Sequence, residues 1–171
     1  AFLDAESHDD PNVAFARVLE LSEGLIALTG GGDGALAPLI AQGKGDIAID
    51  ALKQLGVAFP NRLYVELQRH GEVIEAETEG PLLEMAYDLG LPIVATNDIR
   101  FEKKADHGAH DALMCIAASS YLGEDDRPRV THQHYFRPAE EMLELFSDLP
   151  EAIQNTVEIA ATFSELKNAS R

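Results

Sequence analysis

Two polar residues that could take part in metal chemistry follow apolar stretches of the chain. His70 comes just after the stretch 62–68, and Asp98 directly follows the stretch 91–97. Because the carboxyl ends of parallel strands meet at one edge of a sheet, these side chains are expected to lie close together. An imidazole and a carboxylate can hold a divalent metal ion that activates water for phosphoester hydrolysis. A catalytic zinc site needs at least three protein ligands, however, and the spacing alone favours a histidine that closes a strand and an aspartate that caps a loop.

Other candidate motifs are better explained without a ligand. The glycine-rich run 30–34 could bind a phosphate through backbone N–H groups, but it fits neither the dinucleotide-binding pattern nor the P-loop, so a tight turn is predicted. His132 and His134 have no carboxylate or cysteine beside them, which favours a surface loop. His110 lies on an apolar helical face and is predicted to be partly buried and hydrogen-bonded. Cys115 lies between apolar residues and is predicted to be a small buried hydrophobe.

Strands and helices alternate through the first part of the chain, which predicts parallel βα units with right-handed crossovers. The third strand, with Ile93, Val94 and Ala95, is expected to be buried at the centre of the sheet. Beyond residue 98 the pattern is helical, with a polar loop at 123–138. The predicted strands are 24–29, 62–68 and 91–97; the predicted helices begin with a pattern opening at Pro11 and Asn12 and continue at 34–42, 46–55, 81–89, 106–118, 139–146 and 150–164.

Composition limits the class of protein. The chain has 171 residues, of which 46% are hydrophobic and 25% charged, as expected for a globular domain. Thirteen Lys and Arg against thirty Asp and Glu give a net charge of −17, which argues against a free-standing nucleic-acid binder. A single cysteine excludes an internal disulfide and favours a reducing compartment. No signal peptide or membrane-spanning apolar run is visible, and the first residue is not Met, which predicts a part of a longer chain.

Several long strings resemble the alpha subunits of bacterial DNA polymerase III. In that family they occur in this order within the N-terminal polymerase-and-histidinol-phosphatase (PHP) domain and the helices that leave it. The resemblance covers about residues 20–165, and the error-prone paralogue of this subunit ranks second because it is less similar around residues 62–71. The strings that carry the resemblance are residues 63–71, 89–101, 109–116, 127–129, 135–142 and 145–156.

The resemblance implies an α/β fold in which parallel βα units form part of a distorted seven-stranded β/α barrel, followed by a helical C-terminal layer. Residues 1–104 would be the C-terminal part of the barrel. Residues 105–171 would be a helical segment that completes the PHP domain and leads toward the polymerase palm. The family's upstream His-x-His and Thr-Asp-His motifs are absent from this chain.

Three residues of this chain match the family's metal motifs or depart from them. His70 stands where metal-binding members place a ligand histidine, and Asp98 stands where they place a ligand aspartate. Those members have a second histidine two residues after the aspartate, and this chain has Arg100. An arginine has no lone pair to give to a metal, and along an extended segment Arg100 is expected to reach Asp98 and form a salt bridge. The resemblance thus implies a partial or vestigial metal site and no catalytic residue in this segment.

Two functional hypotheses follow. In the first, the segment is a scaffold and docking surface of a replicative DNA polymerase, cytoplasmic, whose partners are the rest of the alpha chain, a proofreading exonuclease subunit and DNA bound through other domains. The isolated segment would then be inactive and bind no cofactor firmly, while the full-length polymerase would use Mg²⁺. In the second, the segment belongs to a working phosphoesterase, a 3′–5′ exonuclease or pyrophosphatase, with Zn²⁺ or Mn²⁺ in an intact PHP site.

Overall fold

Short strands alternate with helices, and a helical region follows. The computed structural model describes residues 13–169, with side chains described as far as residue 162. The helical pattern predicted from Pro11 and Asn12 therefore begins outside the described residues. In chain order the elements are α1 Phe15–Glu20, β1 Ala27–Leu28, α2 Ala37–Ala41, α3 Gly45–Ala58, β2 Leu63–Leu67, α4 Val73–Asp88, β3 Ile93–Ala95, a 3-10 turn Lys104–Asp106, α5 His107–Ala118, α6 Ala139–Leu145 and α7 Pro150–Ala169.

The three strands form a parallel sheet in the order β1-β2-β3. Ala27 pairs with Leu63, and Val65 pairs with Ile93, so β2 lies between its two neighbours. The α/β class with parallel βα units is confirmed, and the buried state of β3 is confirmed as well. The expectation that β3 is the central strand is wrong, because each crossover adds the next strand on the same side of the growing sheet.

Helix α4 begins eight residues before the predicted start at Pro81. Its first turn is closed by Glu75, whose carboxylate accepts a hydrogen bond from the Glu72 N–H at 3.1 Å. Pro81 then lies inside the helix, where it removes one backbone hydrogen bond. The helix continues because its inner face, including Thr78 and Leu82, is buried against the strands and α2. Packing of this face outweighs the local cost of the proline.

The hydrophobic core lies on both faces of β2 and β3. Leu52 of α3, Val65 of β2 and Phe146, which follows α6, are almost completely buried. Residues 36–95 and residues 146–152 contribute to one cluster, so the sheet and the C-terminal helices share a single core. The full buried cluster is Leu36, Ala48, Leu52, Leu55, Phe59, Leu63, Val65, Leu67, Leu82, Ala86, Ile93, Ala95, Phe146, Leu149 and Ala152.

Helix α7 packs against β3, which is one of the two edge strands of the sheet. Asn155 donates its side-chain N–H to the carbonyl oxygen of Ile93 at 2.7 Å, which satisfies a backbone group that has no neighbouring strand among the described residues. The predicted helical C-terminal layer is therefore present. Within residues 13–169, no helix combines the length and the apolar character needed to cross a bilayer.

Candidate functional site

The carboxyl ends of β1, β2 and β3 meet at one edge of the sheet, where polar residues replace the apolar core. Glu66 of β2 links the three strands there. Its carboxylate accepts hydrogen bonds from the Gly30 N–H at 3.0 Å and from the Thr96 hydroxyl, and its own N–H donates to Thr29 Oγ1 at 2.9 Å. These bonds fix the relative positions of the strand ends. His70 and Asp98 lie just beyond them, so the sequence correctly predicts that they come together.

His70 is buried and held by the first turn of α4. The Glu75 carboxylate lies 2.7 Å from His70 Nδ1 and accepts the His70 backbone N–H at 2.7 Å. Burial of the carboxyl group works to raise the pKa of Glu75, but hydrogen bonds from His70 and from backbone N–H groups outweigh it and leave the pKa below its usual value. Glu75 is therefore ionised near neutral pH and orients the imidazole ring.

The second ring nitrogen of His70 also has protein partners. His70 Nε2 lies 2.9 Å from Asn97 Oδ1 and 3.2 Å from the Asp98 backbone nitrogen. A neutral ring with its proton on Nδ1 accepts the Asp98 N–H, whereas a proton on Nε2 donates to Asn97. Asn97 is itself fixed, because its amide donates to the Tyr135 carbonyl oxygen at 2.8 Å. In both protonation states His70 Nε2 has a hydrogen-bond partner.

Asp98 forms the predicted ion pair with Arg100. Arg100 Nε and Nη2 each lie 2.7 Å from Asp98 Oδ2, and both side chains are partly exposed to solvent. The two residues lie on the same side of an extended segment, as their spacing predicts. The guanidinium therefore occupies Asp98 Oδ2, which also lies 3.7 Å from His134 Nδ1.

His134 belongs to the same site, and the prediction that it lies in a surface loop is wrong. Its ring stacks on His70 with a centroid distance of 4.0 Å and an interplanar angle of 4°. His134 Nδ1 lies 3.0 Å from the Asp98 carbonyl oxygen, and only 6% of the residue is exposed. A backbone bridge between Phe101 and Tyr135 brings the loop against the end of β3. This pairing joins distant parts of the chain, so no local motif could show it.

We name the assembled residues the strand-end cluster: His70, Glu75, Asn97, Asp98, Arg100 and His134. Beside it is an open cavity of about 160 Å³, with carboxylates and two guanidinium groups on its walls. Most polar atoms of the cluster bond to one another. Among the buried side-chain atoms of the cluster, His134 Nε2 has no hydrogen bond within the described residues, and Glu72 Oε1 lies 3.6 Å from it.

The described residues do not fit a zinc or manganese site. A carboxylate on Nδ1 is the arrangement that orients a metal-ligating histidine, but here Asn97 and Asp98 occupy Nε2. Arg100 adds a positive charge at the Asp98 carboxylate, which opposes a nearby cation. Within the described part of the chain, no group of three or more His, Cys, Asp or Glu residues is placed to hold a metal ion.

The other candidate motifs have structural roles. The glycine run forms a turn in which Gly30 has φ +79° and the Gly34 N–H donates to the Gly31 carbonyl at 2.9 Å, as predicted. The Gly30 N–H is bonded to Glu66 and is not available to a phosphate. Cys115 is buried, which confirms that prediction, and His132 is exposed. His110 is half-buried, as predicted, and its ring lies against the Phe101 ring with a centroid distance of 5.4 Å.

Comparison with known proteins gives a consistent result, although no protein-family model matches the chain. DNA polymerase III subunit alpha of Caulobacter vibrioides is 50% identical over 160 residues, which is 94% of this chain and 14% of that protein. The subunit alpha of Pseudomonas aeruginosa is 42% identical and that of Escherichia coli K12 is 40% identical, each over 144 residues. The chain matches a segment of DNA polymerase III subunit alpha.

This match to DNA polymerase III subunit alpha confirms the resemblance drawn from the strings of the sequence. It extends over 84–94% of the chain. The chain, by contrast, spans only 12–14% of the length of these polymerase subunits. The segment that this chain matches is thus a small part of each of these subunits.

Proposed function

We propose that this chain is a segment of a DNA polymerase III alpha subunit, and that the full-length protein is a cytoplasmic replicative polymerase that uses Mg²⁺. The observation that carries the proposal is the 50% identity over 160 residues, which leaves only 6% of the chain outside the match. The charge of −17 agrees with it, because DNA would then be bound through other parts of the full-length protein rather than through this segment.

We further propose that the segment is the C-terminal portion of a PHP domain. Three parallel strands connected by helices are the units from which a seven-stranded β/α barrel is built, which supports this assignment. The proposed boundary puts the barrel portion at residues 1–104 and the helical segment at residues 105–171. The common hydrophobic core supports a helical segment that completes the same domain.

Within this PHP portion, we propose that the strand-end cluster is a scaffold rather than a catalytic centre. Two observations support it: both ring nitrogens of His70 have protein partners, and Arg100 is paired with Asp98. Contacts within the protein thus occupy both ring nitrogens of His70 and one carboxylate oxygen of Asp98. The segment then contributes a docking surface for the rest of the alpha chain and for a proofreading exonuclease subunit.

A primer-extension assay tests the polymerase assignment. The full-length gene product is expected to extend a primed template in the presence of Mg²⁺ and all four deoxynucleotides. The 171-residue chain is expected to give no extension at the same molar concentration. The assignment is overturned if the purified full-length product extends no primer.

The scaffold role needs a separate measurement on the full-length protein. With Zn²⁺ or Mn²⁺ present, 3′-end trimming of DNA and hydrolysis of pyrophosphate to phosphate are expected to be equal for the unaltered protein and for Asp98→Ala. Primer extension by both proteins controls for folding. Metal-dependent turnover that disappears in Asp98→Ala would establish the alternative, a working phosphoesterase.

A further inference from the structure

Helix α5 buries Cys115 and half-buries Ala112 and Met114, but it presents a second apolar stripe to solvent. Leu113 is 62% exposed and Ile116 is 75% exposed, whereas His110 and Asp111 are half-buried. The exposed stripe has spacings of four, three and one residues, which is the pattern by which a helix packs against a neighbouring surface. Its members are Ala109, Leu113, Ile116 and Ala117.

The stripe continues into the turn that follows the helix. Tyr121 is 77% exposed and Leu122 is 57% exposed. This turn is held in place by Arg127, which forms a two-pronged ion pair with Asp111 of α5 and also donates to the Leu122 carbonyl oxygen at 3.4 Å. We name the six residues 109, 113, 116, 117, 121 and 122 the α5 apolar surface. Its shape is fixed before any partner arrives, which lowers the entropic cost of binding.

The charges around the α5 apolar surface indicate what kind of partner surface would fit it. None of the six residues of the α5 apolar surface is charged, but the exposed run Glu124, Asp125 and Asp126 borders it. A second copy of this chain would bring another net charge of −17 to the interface, which opposes self-association. The complementary surface is apolar and bordered by Lys or Arg side chains.

We propose that the α5 apolar surface docks against another part of the full-length polypeptide, through an apolar patch with a basic border. This inference rests on the proposed function, since it requires the longer chain. The relatives extend over about seven times the length of this segment, so a covering surface within the same polypeptide is available. Exposed apolar patches of this kind on soluble proteins mark interaction surfaces.

Thiol labelling in the full-length gene product tests the inference. Ile116→Cys is made together with Cys115→Ala, so that position 116 carries the reporting thiol. Val57→Cys, also with Cys115→Ala, is the matched control, because Val57 is 83% exposed on α3 at a distance from α5 in sequence. Mass spectrometry of the peptides containing positions 57 and 116 gives the two rates. The same pair is measured in the 171-residue chain.

The expected result is labelling at least tenfold slower at position 116 than at position 57 in the full-length protein, and similar rates in the 171-residue chain. Equal rates in the full-length protein would overturn the inference. Slow labelling at position 116 in the 171-residue chain, with a dimer in sedimentation velocity, would overturn it in favour of a second copy.

Primer extension by the unaltered full-length protein separates this inference from the proposed function. If the protein extends primers and both thiols label equally, the docking inference alone fails. If it extends no primer and position 116 is protected, the polymerase assignment fails and the intramolecular contact stands.

Discussion

Replacing Arg69 by alanine should destabilise the chain more than the loss of an exposed ion pair such as that of Arg17 and Glu20. Arg69 lies two residues after the end of β2 and reaches both α4 and the corner between α6 and α7. Its guanidinium contacts Glu79 at 2.7–2.8 Å, Asp148 at 2.7–2.8 Å and the Leu145 carbonyl oxygen at 2.7 Å. It also lies over the buried Phe146 ring, 4.6 Å from the centroid. One side chain thereby connects three parts of the chain next to His70.

The magnitude follows from how much water reaches each contact. The Arg69 and Glu79 side chains are 20% and 24% exposed, so the Glu79 arm contributes about 1.5–3 kcal/mol, as charged hydrogen bonds do. Asp148 is 60% exposed, and solvent screening limits that arm to about 0.2–1 kcal/mol. The contact with Phe146 adds about 0.5–1 kcal/mol. Because the contacts share one side chain and are not fully additive, we expect Arg69→Ala to cost about 3 kcal/mol.

Urea unfolding of the 171-residue chain, followed by circular dichroism, measures this change. Arg17→Ala is the matched control, since Arg17 forms an exposed pair with Glu20 and its loss should cost less than about 0.5 kcal/mol. Arg69→Lys should fall between the two because an ammonium group cannot form both two-pronged contacts. If Arg69→Ala costs less than about 1 kcal/mol, the inferred network does not hold these elements together.

Three further predictions concern the core and the strand-end cluster. Ile93→Asp should unfold or aggregate the chain, because it removes about 1.5–3 kcal/mol of stabilisation from apolar burial and places a charge in the core. The control Ile47→Asp, on an exposed helix face, should have the melting temperature of the unaltered chain. An unchanged melting temperature for Ile93→Asp would contradict the strand assignment. The depressed pKa of Glu75 contributes stability that is present above its ordinary value near 4.5 and is lost as pH falls through the folded value. As the pH falls from about 5 to about 3, the free energy of unfolding should therefore decrease less in Glu75→Gln than in the unaltered chain. Equal decreases in the two proteins would refute this. Arg100→His in the full-length protein should raise zinc or manganese affinity in calorimetric titration, provided that the upstream ligands are present; tight binding by the unaltered protein would show that Arg100 does not displace the metal.

Local sequence patterns predict the features that depend on residues close together in the chain. Apolar stretches halted by glycine or polar residues locate all three strands, and the spacing of Asp98 and Arg100 predicts their ion pair. Element ends are less well predicted, as α4 shows. Pro81 has the local character of a helix start, but Glu75 closes an earlier turn and the buried inner face keeps the proline within the helix. The tertiary contacts decide the boundary, and they are not visible in the local pattern.

Long-range pairing accounts for what the sequence does not show at the site. His134 is 64 positions from His70 in sequence, and the two rings are brought together by long-range contacts that include the bridge between Phe101 and Tyr135 and the bond from the Thr131 hydroxyl to the His70 carbonyl oxygen. Asn97 was part of the predicted third strand, with no sign that its amide would bond to a histidine ring and to the Tyr135 carbonyl. For Glu75 the sequence does carry a signal, because Glu75 stands three residues after Glu72, which is the spacing of a capping box at the start of a helix.

The contacts within the strand-end cluster support the proposed scaffold role. An unpaired buried polar atom is costly, and among the buried side-chain atoms of the strand-end cluster that the structure describes, His134 Nε2 is in that state whereas His70 Nε2 is not. Here Asn97 and the Asp98 N–H take the place of a ligand at His70 Nε2, and Arg100 neutralises Asp98. Stacking of His134 on His70 then closes the inner side of the cluster. These bonds join the ends of β2 and β3 to the loop before α6, which is the structural role that the scaffold proposal gives to the cluster.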